Sequence, residues 1–130
     1  MNQKEDFLQT LLTLTREKKI TWKMSGLTRN ISKYIINSDQ VSQVFYSEFN
    51  DNEIYFIVQK YIKYDYEFDL HIEDFTYFIN IIFDYNLVYS ICEDEVSENM
   101  LNDLLMEIRS NFENSFYNSF MEEIKPTTPP

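Results

Sequence analysis

One glycine, Gly26, serves the whole chain of 130 residues, and this scarcity removes several functions at once. A phosphate-cradling loop needs several glycines so that backbone N–H groups can close on the ligand, which excludes nucleotide binding by that route. A tight multi-hairpin barrel built on glycine turns is disfavoured for the same reason. Proline is also rare, with three residues, and the two shortages together argue against a disordered chain. The single cysteine, Cys92, rules out an internal disulfide and fits a reducing compartment. The single histidine, His71, would have to serve any Ser-His-Asp triad or Cys–His pair. No nucleophile-elbow sequence accompanies it, and nothing places a base beside Cys92. The N-terminus, Asn2-Gln3-Lys4-Glu5-Asp6, lacks the apolar core of a signal peptide, and no apolar run reaches membrane-spanning length. A cytoplasmic protein is expected.

Positive charge is short as well. Eleven Lys and Arg face 22 Asp and Glu, for a formal net charge of -11. Residues 1–43 hold seven basic and four acidic groups, whereas residues 44–130 hold four basic and eighteen acidic ones. Such a field repels nucleic acid and anionic membrane and attracts basic surfaces. Solubility alone also accounts for an acidic balance.

Aromatic residues are plentiful, at 17% of the chain, so 130 residues suffice for one domain with one core. The stretch 54–72 organises it. Its even positions are apolar or aromatic, from Ile54, Phe56 and Val58 through Ile62, Tyr64, Tyr66, Phe68 and Leu70 to Ile72, with Lys60 the one exception. Its odd positions turn polar after Ile57, as Gln59, Tyr61 and Lys63 and then Asp65, Glu67, Asp69, His71 and, just beyond the stretch, Glu73. Period-two alternation predicts a half-buried strand or hairpin with an even core face and an odd acidic face. Nineteen residues exceed an ordinary strand, so either a turn near 63–65 or a strong bend is expected.

Before this stretch, residues 3–19 read as an amphipathic helix opened by a capping box of Asn2 and Glu5. Ile20, Trp22 and Met24 then suit one side of a short strand. Residues 27–36 fit either a short helix or a strand, and 37–40 a loop. A strand over 44–49, a turn at Asn50-Asp51-Asn52 and the 54–72 register follow. Phe75, Tyr77, Ile79, Ile81 and Phe83 alternate on odd positions, so a turn or bulge has shifted the phase. After a turn at 84–86 and a strand over 87–92, Leu101, Leu104, Leu105, Ile108, Phe112, Phe116 and Phe120 mark a long helix. Four-residue steps make its stripe drift, with a bend or break expected near 111–114. Pro126 ends it. The chain therefore reads as a single α+β domain over 1–125 with a disordered tail over 126–130.

Asp65, Glu67, Asp69, His71 and Glu73 would share a face if they lay on one extended strand, with neighbours about 7 Å apart. Carboxylates and an imidazole so placed can hold a divalent ion, and a metal-dependent enzyme using Asp65, Asp69 and His71 is one reading. A solvated strand face is the other, favoured because no second ligand cluster accompanies it. No cofactor and no metal are expected. Tyr55 and Tyr61, opposite the core-facing row and beside Asp65, Glu67, Asp69 and Glu73, compose a Tyr-rich patch rimmed by charge, a good protein-binding surface. Spaced carboxylates can also imitate backbone phosphates. A helix covering the Tyr55–Ile57 end is the alternative.

The opening Phe7-Leu8-Gln9-Thr10-Leu11-Leu12 followed by Lys19-Ile20-Thr21-Trp22, with Leu101, Leu104 and Ile108 near the end, resembles small bacterial and prophage proteins, many of them uncharacterised. These open with a helix followed by an Ile-x-Trp strand and close on a helix. The resemblance implies a bacterial or bacteriophage cytoplasmic setting and carries no catalytic residues. The expected architecture is an α+β fold, an antiparallel sheet of about five strands with the N-terminal and long C-terminal helices packed on one face. The expected function is a non-enzymatic acidic inhibitor that binds a nucleic-acid-handling protein through its basic surface. It would be of the anti-CRISPR, anti-defence or toxin-immunity type, as a nucleic-acid mimic in one version, with no direct nucleic-acid or membrane partner. A homodimeric adaptor is the further alternative.

Overall fold

The computed structural model describes residues 2–26, 33–35, 40–97 and 99–124. The tail 126–130, most of the ambiguous segment 27–36 and most of the loop 37–40 lie outside the described residues. Helix α1 (Gln3–Arg16) leads into strands β1 (Lys23–Ser25), β2 (Val41–Phe49), β3 (Asn52–Asp65), β4 (Leu70–Phe83) and β5 (Asn86–Cys92). A one-turn 3-10 helix (Glu93–Glu95) and helix α2 (Met100–Ile124) complete the chain.

The start of α1 is fixed by the capping box read from the sequence. Asn2 Oδ1 accepts the Glu5 N–H at 2.8 Å, and Glu5 Oε1 accepts the Asn2 N–H at 3.1 Å. Leu8, Leu11 and Leu12 bury one face of the helix. β1 is shorter and later than expected. Ile20 and Trp22 reach the core before it begins, while Met24 is exposed on the three-residue edge of the sheet, with no strand beyond it among the described residues.

The five strands form an antiparallel meander in the order β1-β2-β3-β4-β5. Its tight turns dispense with glycine: Asn50 and Asp51, then Asp84 and Tyr85, take positive φ between 50° and 65°. Asn and Asp tolerate that region because their short side chains bond locally, so glycine scarcity does not forbid hairpins here. β3 and β4 pair without a break from Glu53↔Ile82 to Asp65↔Leu70. Even positions of β3 therefore face odd positions of β4, and the phase change comes from the turn between them. That turn occupies 66–69, past the expected 63–65, and Glu73 and Asp74 lie inside β4.

Both helices pack on the face carrying Phe45, Ile54, Phe56, Val58, Ile79, Ile81 and Ile91. From α2, Leu101, Leu104, Leu105 and Ile108 fill this core. Val44, Tyr55, Ile57 and Ile82 on the opposite face are buried with Ile35, and Tyr34 packs against them. The cover over Tyr55 and Ile57 is thus the 33–35 segment, not a helix. α2 runs unbroken over 25 residues, without the expected interruption near 111–114. No helix among the described residues is long and apolar enough to cross a membrane.

Candidate docking surface

The two longest strands outrun their neighbours. β2 pairs with β3 no further than Gln59, and β5 pairs with β4 from Phe78 onward. From Lys60↔Phe75 to Asp65↔Leu70, β3 and β4 pair only with each other. These six pairs make a ribbon about 20 Å long. The even row of β3 ceases to be core at the point where Lys60 interrupts it: Val58 is buried, whereas Ile62 and Tyr64 are exposed. Tyr66, Phe68 and Leu70 at the turn are exposed too, Tyr66 at 87%. The expectation of an even core face holds for 54–58 and fails beyond it, because neither helix covers the ribbon.

A two-stranded ribbon is marginal alone in water, and cross-strand contacts hold this one. Lys60 Nζ lies 2.9 Å from Glu73 Oε1, and Lys63 Nζ lies 3.3 Å from Asp74 Oδ2. The Tyr61 hydroxyl donates to Asp74 Oδ2 at 3.1 Å. The Phe75 N–H, the Tyr61 hydroxyl and Lys63 together hold the Asp74 carboxyl below its ordinary range, and the same bond to Asp74 raises the Tyr61 phenol. Tyr64 stacks edge-on against His71, its partner across the ladder, at 5.3 Å, and against Tyr66 at 4.7 Å.

The single acidic face expected from 65 to 73 does not form. Asp65 roots the turn, where its Oδ1 accepts the N–H groups of Glu67 at 2.9 Å and Phe68 at 3.3 Å. Glu67 and Asp69 lie in the turn itself, Asp69 with φ 52°. His71 and Glu73 fall on the next strand, on the opposite side of the ribbon from Asp65. Tyr55, named from the sequence as a binding residue, is 4% exposed and belongs to the second core. Of the six residues named, Asp65, Glu67 and Asp69 form no ion pair with the described residues, and Asp65 is engaged by the N–H groups of the turn. The sequence did not show as surface the exposed Ile62 and Tyr64 on one face of the ribbon, Leu70 on the other, and Tyr66 and Phe68 in the turn. The signal was Lys60, the one charged residue in the apolar row.

No family model, curated protein or solved structure matches the chain.

Asp65, Asp69 and His71 do not assemble a ligand set. Among the described residues, the group of three donors within 4.8 Å is Cys92, Asp94 and Glu95. Glu95 there is already engaged: it pairs with Lys4 and accepts the Cys92 N–H at 3.0 Å. Burial, reinforced by Glu95 and Asp94, pushes the Cys92 thiol up, away from a reactive thiolate. An apolar cleft of about 490 Å³ lies between α1 and the sheet, lined by Phe7, Leu11, Leu14, Phe49, Ile81 and Tyr89 among others. Asp6 is its one charged lining residue.

Proposed function

We propose that this chain is a non-enzymatic binding protein that docks the tip of its β3–β4 ribbon against a basic surface of another protein. The observation behind this reading is the ribbon itself: six strand pairs leave the sheet and carry Ile62, Tyr64, Tyr66, Phe68 and Leu70 into solvent. Exposed apolar side chains clustered at a tip and rimmed by charge, like Tyr64 and Tyr66 in contact here, mark interaction sites far more often than they serve a monomer. The turn carboxylates that form no ion pair with the described residues, Glu67 and Asp69, are acidic, and the chain's net charge of -11 steers the encounter toward basic partners. An inhibitor of a nucleic-acid-handling protein, of the anti-defence or toxin-immunity class in a bacterial or phage setting, is the specific form proposed. Aromatic anchors ringed by carboxylates carry the affinity in this form, in place of an evenly spaced row imitating phosphates.

The test is a photo-crosslinking benzoylphenylalanine placed at Tyr66 of the chain expressed in a bacterial host, with Tyr85 as the control position. A specific adduct with a protein of basic surface is expected at 66, weakened by salt and abolished by Glu67→Lys with Asp69→Lys. Equal adducts at both positions, unmoved by the charge reversals, overturn the reading.

A further inference from the structure

Helix α2 changes the direction of its apolar face half-way along. Leu101, Leu104, Leu105 and Ile108 are buried against the sheet and α1, and no later residue of the helix is buried. A second apolar set follows: Phe116 is 65% exposed, Tyr117 61%, Phe120 49%, Met121 37% and Ile124 55%. At about 100° of turn per residue, this set is rotated by roughly 140° from the buried one. The cause is the four-residue step of Phe112, Phe116, Phe120 and Ile124, which overshoots each helical turn. Phe116 and Phe120 stack on each other at 6.1 Å. The stripe therefore faces away from the protein's own core, and no rearrangement of side chains within α2 returns it there.

We propose that this outer face of α2 is a self-association surface, on which a second copy of the chain packs as an antiparallel helix pair with its two-fold axis at Phe120. Two observations select a second copy. The first is area. With aromatic side chains of the 150–250 Å² class, the five exposures leave about 500 Å² per chain, or about 1,000 Å² for a pair, the threshold of a specific interface. The second is self-complementarity, which a two-fold interface requires. An axis at Phe120 sets Phe120 of the two copies against each other and Phe116 of one opposite Ile124 of the other. The ribbon tip takes no part in this contact, so the two surfaces are independent.

Sedimentation of the full chain from micromolar to sub-millimolar concentration tests the proposal. A mass that doubles with concentration is expected. Phe116→Glu with Phe120→Glu should remain monomeric while keeping the circular dichroism spectrum of the parent. In a Cys92→Ser background, Phe120→Cys should form an intermolecular disulfide under mild oxidation, since the axis sets position 120 opposite itself. Tyr66→Ser with Phe68→Ser should leave the dimer intact. A monomer at every concentration assigns the stripe to a partner of another kind and overturns the proposal. So does a dimer that survives the two glutamates or dissociates with the ribbon variant.

Discussion

The indole N–H of Trp22 donates to the hydroxyl of Thr15 at 3.0 Å, with both residues buried. That hydroxyl donates in turn to the Leu11 carbonyl at 2.7 Å, and the Thr15 carbonyl accepts Asn111 Nδ2 at 2.9 Å. One residue in the last turn of α1 thus joins the approach to β1, its own helix and α2. Thr15→Val keeps the shape and leaves the indole N–H buried without an acceptor, which costs about 1–3 kcal/mol. Thr15→Ser keeps the acceptor and should lose less. Urea denaturation midpoints separate the two; equal midpoints for Val and Ser would remove the hydrogen bond from the account.

A second prediction concerns acid. The Ser97 hydroxyl and the Asn2 N–H hold the Glu5 carboxyl below its ordinary value of 4.5. Lys4, with the Cys92 N–H, does the same for Glu95. Both groups tie the start of α1 to the 3-10 turn after β5. A carboxyl depressed in the folded state contributes stability that is fully present above its unfolded value and is lost as pH falls through its folded value. The thermal midpoint should therefore hold from neutrality toward the ordinary range of 4.5 and decline below it. Glu5→Gln should start lower at neutral pH and decline less steeply. Parallel curves for the two proteins would show that Glu5 is not part of the linkage.

Features set by neighbours in sequence were legible; features set by what covers a surface were not. Asn2 and Glu5 are three residues apart, so their capping box needs nothing from the rest of the fold. The α+β architecture followed from alternation flanked by helical spacing, and all five strands and both helices are present. Alternation distinguishes two faces of a strand without saying what lies over each. The even row reads the same at Phe56, under the helices, as at Tyr64, which neither helix covers. Tyr55 was taken for surface because its cover, around Ile35, comes from a segment without a clear period. The acidic row failed because Asp65 and Asp69 shape a turn, and a turn ends the strand geometry that would have aligned them. In α2, apolar spacing marks a stripe equally well whether it meets the protein's own sheet or turns outward.

Glycine scarcity leaves a measurable trace at the β4–β5 turn. Tyr85 holds φ 65° beside Asp84 at 51°, and its side chain is exposed. The left-handed region costs an ordinary L-residue about 1–2 kcal/mol, and a phenol has no local hydrogen bond to offset it as a short carboxylate does. Tyr85→Gly removes that cost but loosens the unfolded chain, so a net gain of about 0.5–1 kcal/mol is expected. Asp84→Gly should gain less. Tyr85→Val, branched at Cβ, should destabilise. Thermal or urea unfolding of the three variants gives the order directly, and a loss on Tyr85→Gly would mean that the tyrosine ring makes a contact worth more than the strain.

The ribbon is separable from the fold that carries it. None of the side chains from 61 to 74 is buried, and the core stops at Val58 and Ile79. Lys60 and Phe75 face each other across the ladder, so joining them through a two-residue Asn-Gly turn closes the hairpin at that pair. The excised protein should keep its helices, sheet and cooperative unfolding, since each exposed strand pair it loses contributes only about 0.2–1 kcal/mol. By contrast Val58→Ala, one step into the core, should cost about 2 kcal/mol or more. Partner capture should disappear with the ribbon while concentration-dependent association through α2 persists. An excised chain that unfolds would make the ribbon structural, and its exposed aromatics would then need a covering partner within the fold.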